Sequence, residues 1–214
     1  MKCCNQCEGL ENFFDKRSAE NDLADYQRKG PTKQTRLLLN VLREVGVKGR
    51  TLLDIGGGIG AIQHELMKSG LGASTDVDAS SSYLAVAREE AARQGYADRA
   101  HYLHGNFIDL APQIEGADIV TLDRVICCFP DMQAMVSLSA ARAKQFYALV
   151  YPRDSWWTRL GGQAGNVMLT LQRNQFRFFV HPAQQVDALV RAAGLQPKFQ
   201  RNAGLIWQVV VYSR

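Results

Sequence analysis

Three aspartates stand at or near the ends of short strand-like runs in this 214-residue chain, and their surroundings suggest what they could do. Asp54 lies in Thr51-Leu52-Leu53-Asp54-Ile55 and is followed at once by Gly56-Gly57-Gly58-Ile59-Gly60. Glycines at the exit of a strand let the backbone take positive φ and let a ligand approach with no Cβ in the way. The helix start behind them offers N–H donors to an anionic group. Asp78 ends Ala73-Ser74-Thr75-Asp76-Val77-Asp78, about twenty residues beyond the glycines, where nucleotide-binding βαβ folds place a carboxylate on ribose hydroxyls. Asp123 ends Ala117-Asp118-Ile119-Val120-Thr121-Leu122-Asp123, and ligands of open α/β sheets sit at the carboxyl ends of strands. A bound nucleotide-like cofactor is therefore expected. Gly56, Gly58 and Ala61 also satisfy the G-x-G-x-x-G/A pattern of dinucleotide-binding folds, so the loop alone leaves a nicotinamide cofactor open. A tight turn without a ligand is the plain alternative.

These residues need a scaffold, and the apolar spacing supplies one. Helices are expected from Thr32 to Arg43, from Ala61 to Met67, from Ser81 to Gln94, from Met132 to Lys144 and from Pro182 to Ala193. Between them lie strands at Thr51–Ile55, Ala73–Asp78, His101–His104, Ala117–Asp123, Phe146–Tyr151, Gln196–Arg201 and Ile206–Tyr212. Alternation with short connections predicts a doubly wound α/β fold. Its seven-stranded sheet is expected to be mostly parallel and covered on both faces, with the last two strands pairing antiparallel. Residues 1–30 read as a polar N-terminal extension, a mobile tail, and 31–214 as one domain. Ser155 to Arg177 breaks the rhythm with Trp156-Trp157 and Gly161-Gly162 among arginines, and a lid-like insertion over 153–180 is expected there.

The bulk numbers exclude some classes. A formal charge of +4 and a pI near 8.8, with no Lys/Arg block, fall short of a nucleic-acid signature and slightly favour acidic small molecules. No apolar run reaches the length of a membrane span, so no integral membrane segment is expected. The start of the chain lacks a signal-peptide core, and five cysteines are an odd count for a disulfide framework, which fits a cytoplasmic protein. Cys3, Cys4 and Cys7 have no fourth ligand at zinc-finger spacing, and no metal is expected.

Taken together, Asp54-Ile55-Gly56-Gly57-Gly58-Ile59-Gly60, Asp76-Val77-Asp78-Ala79-Ser80, Gly105-Asn106-Phe107-Ile108-Asp109-Leu110 and Asp123-Arg124-Val125-Ile126-Cys127-Cys128-Phe129-Pro130-Asp131 resemble the class I S-adenosylmethionine-dependent methyltransferases. The order and spacing of the four stations match over about residues 32–214. Among small-molecule members the chain is most similar in look to the magnesium-protoporphyrin O-methyltransferases. The resemblance implies a Rossmann-like methyltransferase fold with S-adenosyl-L-methionine as cofactor. It also implies roles. Asp54, Gly56, Gly57, Gly58 and Gly60 would hold the methionine end, Asp78 the ribose hydroxyls, and Ala79 and Tyr83 the adenine. Asn106 stands where the family often has an acid, and its carbonyl can still accept from the adenine amino group, with Phe107 against the base. Asp123 would sit where the sulfonium meets the substrate.

Methyl transfer from a sulfonium is an in-line displacement that rests mainly on alignment in a water-poor pocket, so no acid–base residue is obligatory. Where a base is needed, Asp123, His104 and Tyr151 are the candidates, with His181 behind them. Arg124, Arg153, Trp156 and Trp157 are expected on the substrate side, facing an acidic or aromatic small molecule. Cys127 and Cys128 pack as small apolar side chains or bind a soft metalloid, packing being the plainer reading. Two rivals remain: an NAD(P)-binding oxidoreductase, which lacks the Tyr-x-x-x-Lys pair of short-chain dehydrogenases here, and a protein that binds S-adenosylmethionine without catalysis.

Overall fold

In the computed structural model, residues 9, 10 and 13–214 are described, and Cys3, Cys4 and Cys7 lie outside them. The segment expected as a mobile tail is, over Lys16–Lys29, a helix (α1). Asp15 caps it by accepting the Ser18 N–H at 2.8 Å, and Gly30 ends it at φ 73°. Only Ala19 and Tyr26 of α1 are buried, and the helix is held by polar side chains reaching distant partners. Tyr26 donates to Glu65 at 2.9 Å, Gln27 to Glu90 at 2.9 Å, and Asp22 accepts from Tyr83 at 2.7 Å. Such partners leave no local pattern, which is why polar composition alone conceals the helix.

Beyond Pro31 the expected strands and helices are present: α2 (Lys33–Glu44), β1 (Thr51–Ile55), α3 (Ala61–Lys68), β2 (Ala73–Asp78), α4 (Ser81–Arg93), β3 (Ala100–His104), α5 (Phe107–Leu110), β4 (Ala117–Asp123), α6 (Met132–Ala140), β5 (Ala143–Pro152), α7 (Trp156–Leu171), α8 (Ala183–Ala192), β6 (Gln196–Ala203) and β7 (Trp207–Ser213). Of these, α5 and α7 are two helices beyond those expected. The helix predicted to reach Lys144 stops at Ala140, because Ala143 already pairs with Ala117 as the first rung of β5.

One seven-stranded sheet has the order β3-β2-β1-β4-β5-β7-β6, with β7 antiparallel to both neighbours and all other pairs parallel. Strand order reverses between β1 and β4, which opens a crevice at their carboxyl ends. Alternate residues feed two cores, one on each face. Leu53, Val120, Leu122, Tyr147, Leu149, Tyr151, Val210 and Tyr212 join Met135 and Val136 of α6 and Val186 and Val190 of α8. Leu52, Ile119, Ala148, Val150, Val209 and Val211 face Leu38, Leu39 and Leu42 of α2 and Ile62 and Leu66 of α3. The period of two along each strand therefore covers both faces of the sheet.

Gly161-Gly162 does not interrupt α7. A Cβ at Gly162 would come within 3.1 Å of the Phe178 ring, and the Asn166 side chain bonds the Phe178 carbonyl and N–H, each at 2.8 Å. That close docking leaves the opposite face, with Trp156, Leu160, Val167, Met168 and Leu171, exposed. Among the described residues no helix is long and apolar enough to cross a membrane.

Candidate functional site

The loop after β1 turns back on itself through Gly56 at φ 63°, where a Cβ would meet the Val125 side chain at 2.6 Å. Both the backbone conformation and the close approach therefore require glycine. Gly60, at φ 77°, opens α3 in the left-handed region. His64, one turn into α3, braces this loop: its Nε2–H donates to the Ile59 carbonyl at 2.7 Å and its Nδ1 accepts from the Tyr96 hydroxyl. Burial pushes His64 down to about 4, so the ring is neutral and can hold both roles at once.

Acids gather beneath the loop. Asp54 accepts from Thr121 at 2.6 Å, Asp76 from the Gly57 N–H at 3.2 Å, and Asp78 from the Gly58 and Ser80 N–H groups at 3.0 and 2.8 Å. Burial pushes Asp54 up to about 7, with the charges of Asp123 and Asp78 adding to it. Asp76 is raised further by burial and then by Asp54 and Asp78. Asp78 is raised by burial, against the two backbone donors. One buried oxygen each of Asp54 and Asp76 has no hydrogen-bond partner among the described residues. Carboxylates crowded and half-satisfied in this way favour a cationic or donor-rich ligand.

This corner belongs to a cavity of about 600 Å³ that runs from the glycine loop to the ends of β1 and β4. On its far wall Asp123 accepts from Thr35 of α2 at 2.5 Å with one oxygen and from Arg124 Nε at 3.0 Å with the other. The Asp123 carboxylate holds the Arg124 guanidinium firmly protonated. Arg124 sits at φ 63°, a left-handed conformation costly for a side chain of its size, and its N–H is fixed to Val150 at 2.8 Å. The remaining walls include Arg36, Cys127, Cys128, Phe176, Phe178 and Trp207. The N-terminal segment closes the cavity from above, where Phe14, Asp22 and Tyr26 line it and the Phe14 carbonyl accepts from Ser80 at 2.7 Å.

Of the residues singled out from sequence, Asp54, Gly56, Gly57, Gly58, Asp78, Ala79, Tyr83, Phe107, Asp123 and Arg124 come together around this cavity. Gly60, Asn106, His104, Tyr151, Arg153, Trp156 and Trp157 are not among its walls. Asn106 caps α5, its carbonyl accepting the Ile108 N–H at 3.2 Å. His104 faces the Ala79 carbonyl at 3.1 Å. Tyr151 is buried in the core on the same face as Tyr147 and Tyr212, and burial raises its hydroxyl. Arg153 lies over the Trp157 ring at 5.8 Å, outside the cavity. Phe176 and Phe178 are the part of 153–180 that reaches the site. Thr35, Asp22, Phe14 and Trp207 join the walls without any motif to announce them. Asp123 and Thr35 are 88 residues apart, so no local signal connects them.

Three comparisons with known proteins bear on this arrangement. A family model described as a methyltransferase domain matches residues 47–173. Among solved structures, the magnesium protoporphyrin IX methyltransferase of Synechocystis PCC 6803 with bound SAM superposes with a TM-score of 0.73 at 14% identity, covering 100% of this chain and 99% of that one. The same protein with bound SAH gives 0.69, also at 14% identity, over 96% and 98% of the two chains. An O-methyltransferase family protein from Burkholderia thailandensis gives 0.70 at 19% identity over 94% of this chain and 60% of that one. At such identities these likenesses speak for the fold. No curated protein matches the chain significantly.

Proposed function

Because the chain belongs to the methyltransferase-domain family, we propose that it is an S-adenosylmethionine-dependent methyltransferase whose cofactor occupies the cavity between the glycine loop and Asp123. The observation that carries this reading is the cluster of Asp54 and Asp78 on the cavity wall, with buried Asp76 behind them, under a left-handed glycine loop. The ligand carries a cationic ammonium and sulfonium and a ribose with two hydroxyl donors, which matches half-satisfied carboxylates at the glycine loop. Asp78 uses one acceptor site on each oxygen for Gly58 and Ser80, leaving lone pairs for two hydroxyl donors. Tyr83, Ala79 and Phe107 line the adjoining wall and suit a flat base. The bound cofactor supplies an electrophilic methyl carried on sulfur.

The chain's own work is then alignment and exclusion of water. In this reading α1 and Phe14 roof the cavity, so the N-terminal segment is part of the site and residues 31–214 form the rest of the catalytic domain. Arg124 and Arg36 on the walls, with Phe176, Phe178 and Trp207, support an acidic or aromatic small molecule as acceptor. Asp123 lines the same cavity as Arg36 and Arg124, and Thr35 and Arg124 hold it in one orientation. It would take a proton from an oxygen or nitrogen nucleophile, with Arg124 balancing its charge. Action in the cytoplasm is part of the proposal and rests on the odd cysteine count.

Calorimetry with S-adenosylmethionine and with its demethylated product tests the reading. Saturable heat is expected, and Asp78→Ala should weaken binding by more than about tenfold, roughly 1.4 kcal/mol. No heat with either ligand, together with saturable NAD binding, would overturn it.

A further inference from the structure

The turn that leaves β4 carries a feature the methyl-donor site does not use. Cys127 and Cys128 lie in the 3-10 turn Ile126–Cys128, and both line the cavity. Successive side chains on such a turn point roughly 120° apart around its axis. Here they converge instead: the two sulfurs stand 3.9 Å apart, and both thiols point at the Arg124 carbonyl, at 3.2 and 3.5 Å. The turn is braced from outside. His181 Nε2 donates to the carbonyls of Ile126 and Phe129 at 2.9 and 3.0 Å, and the Phe179 N–H donates to the Cys127 carbonyl at 2.8 Å. A disulfide would need the sulfurs to close to about 2.05 Å, against that bracing.

The separation selects among ligands. Two sulfurs each about 2.3 Å from one centre would stand about 3.8 Å apart at a tetrahedral angle, about 3.5 Å at a pyramidal one and about 4.6 Å in a linear arrangement. The observed 3.9 Å fits an angular chelate rather than a linear one. No group of three or more His, Cys, Asp or Glu residues among the described residues could hold a metal ion. A centre content with two protein ligands is therefore favoured over a structural zinc.

We propose that Cys127 and Cys128 form a chelating site, open to the cavity, for a trivalent thiophilic metalloid such as an organoarsenical carrying two hydroxyl groups. In the binding step two As–O bonds break and two As–S bonds form. Each thiol proton leaves with a hydroxyl as water, and arsenic stays trivalent. No net charge enters the wall. That matters because the neighbouring Cys128 sulfur and burial together hold the Cys127 thiol protonated, which works against any divalent cation that must displace the protons first.

Phenylarsine oxide is the probe, read by intact mass spectrometry on the full chain and on a variant with Cys3→Ser, Cys4→Ser and Cys7→Ser. One phenylarsenic adduct is expected on that variant. It should survive excess glutathione and be stripped by 2,3-dimercaptopropanol. Cys127→Ser or Cys128→Ser, added singly, should weaken retention on the order of a hundredfold, as a chelate becomes a single bond. If the N-terminal substitutions impair folding, the wild-type chain should still carry one adduct more than its Cys127→Ser/Cys128→Ser counterpart. Circular dichroism confirms that each variant is folded. No adduct on folded protein, or retention unchanged by both single substitutions, would overturn the proposal. Parallel titration with S-adenosylmethionine keeps the two readings separate, since heat without an adduct removes only this one and an adduct without heat removes only the methyl-donor assignment.

Discussion

Asp54 shows most clearly how a proposed binding role would oppose stability within one side chain. Its ordinary value of 3.8 rises to about 7 in the folded protein because burial and two neighbouring acids disfavour its charge. Between about pH 4 and 7 the folded state therefore holds a proton that the unfolded chain has released, and stability falls as pH rises through that window. A rise of this size is of order 4 kcal/mol. Asp54→Asn keeps an acceptor for Thr121 and removes the charge, so the ligand-free variant should melt higher than the parent at pH 8. That advantage should shrink towards pH 5.5, less whatever the buried amide loses by lacking an acceptor. Thermal melts at the two values check it, and an equal difference at both would rule out titration of Asp54 as the cause. The same substitution should weaken binding of the cationic cofactor. Asp54 and Asp78 are readable in the sequence because each sits beside its own glycine or strand end. Tyr151, expected as a candidate base, belongs to the core instead. Strand parity carries that information, since Tyr147, Leu149 and Tyr151 share one face of β5 and that face is buried under α6 and α8.

At the scale of elements, α3 and the glycine loop act as one unit through His64. His64 titrates near 6.5 when unfolded and near 4 when folded, so its contribution is present above pH 6.5 and is lost as pH falls towards 4. This is opposite in sign to Asp54. His64→Ala should flatten the acid side of the stability profile. It should also lower cofactor affinity by letting Ile59 and Gly60 relax, which melts across pH and calorimetry at pH 7.5 would report. An unchanged affinity would mean that the loop holds its shape without the brace. Strands and most helices are legible because their periods of two and 3.6 are local. Helix α1 is not, because Glu65, Tyr83 and Glu90, which hold it, are scattered far along the following chain. The continuity of α7 through Gly161-Gly162 is hidden for a similar reason, as only Phe178 explains it.

The whole molecule joins these units around the crevice where the strand order reverses, and the cavity draws on both ends of the chain. Phe14 and Tyr26 form its roof, β1, β2 and β4 its floor, and Phe176, Phe178 and Trp207 its outer wall. Removing residues 1–30 should leave the sheet folded, with far-ultraviolet helical dichroism reduced by no more than the share of α1 and a cooperative melt retained, while cofactor binding falls below detection. A truncated chain that binds normally would show that the roof is dispensable. The fold class is legible from the alternation alone, whereas the roof is not, because it depends on contacts between the first thirty residues and the middle of the chain.

The roof also has a consequence for the order of synthesis. Helix α1 leaves the ribosome before its partners: Glu65, Tyr83 and Glu90 follow it by dozens of residues, and Trp207 comes much later still. The nascent chain therefore has no closed pocket until Trp207 has emerged, and the loop-closure entropy of these long-range contacts falls on a late stage of the domain's folding. Ligand capture becomes a test of whether the sheet has closed, and a chain that stalls before β7 would leave α1 without a finished cavity to cover.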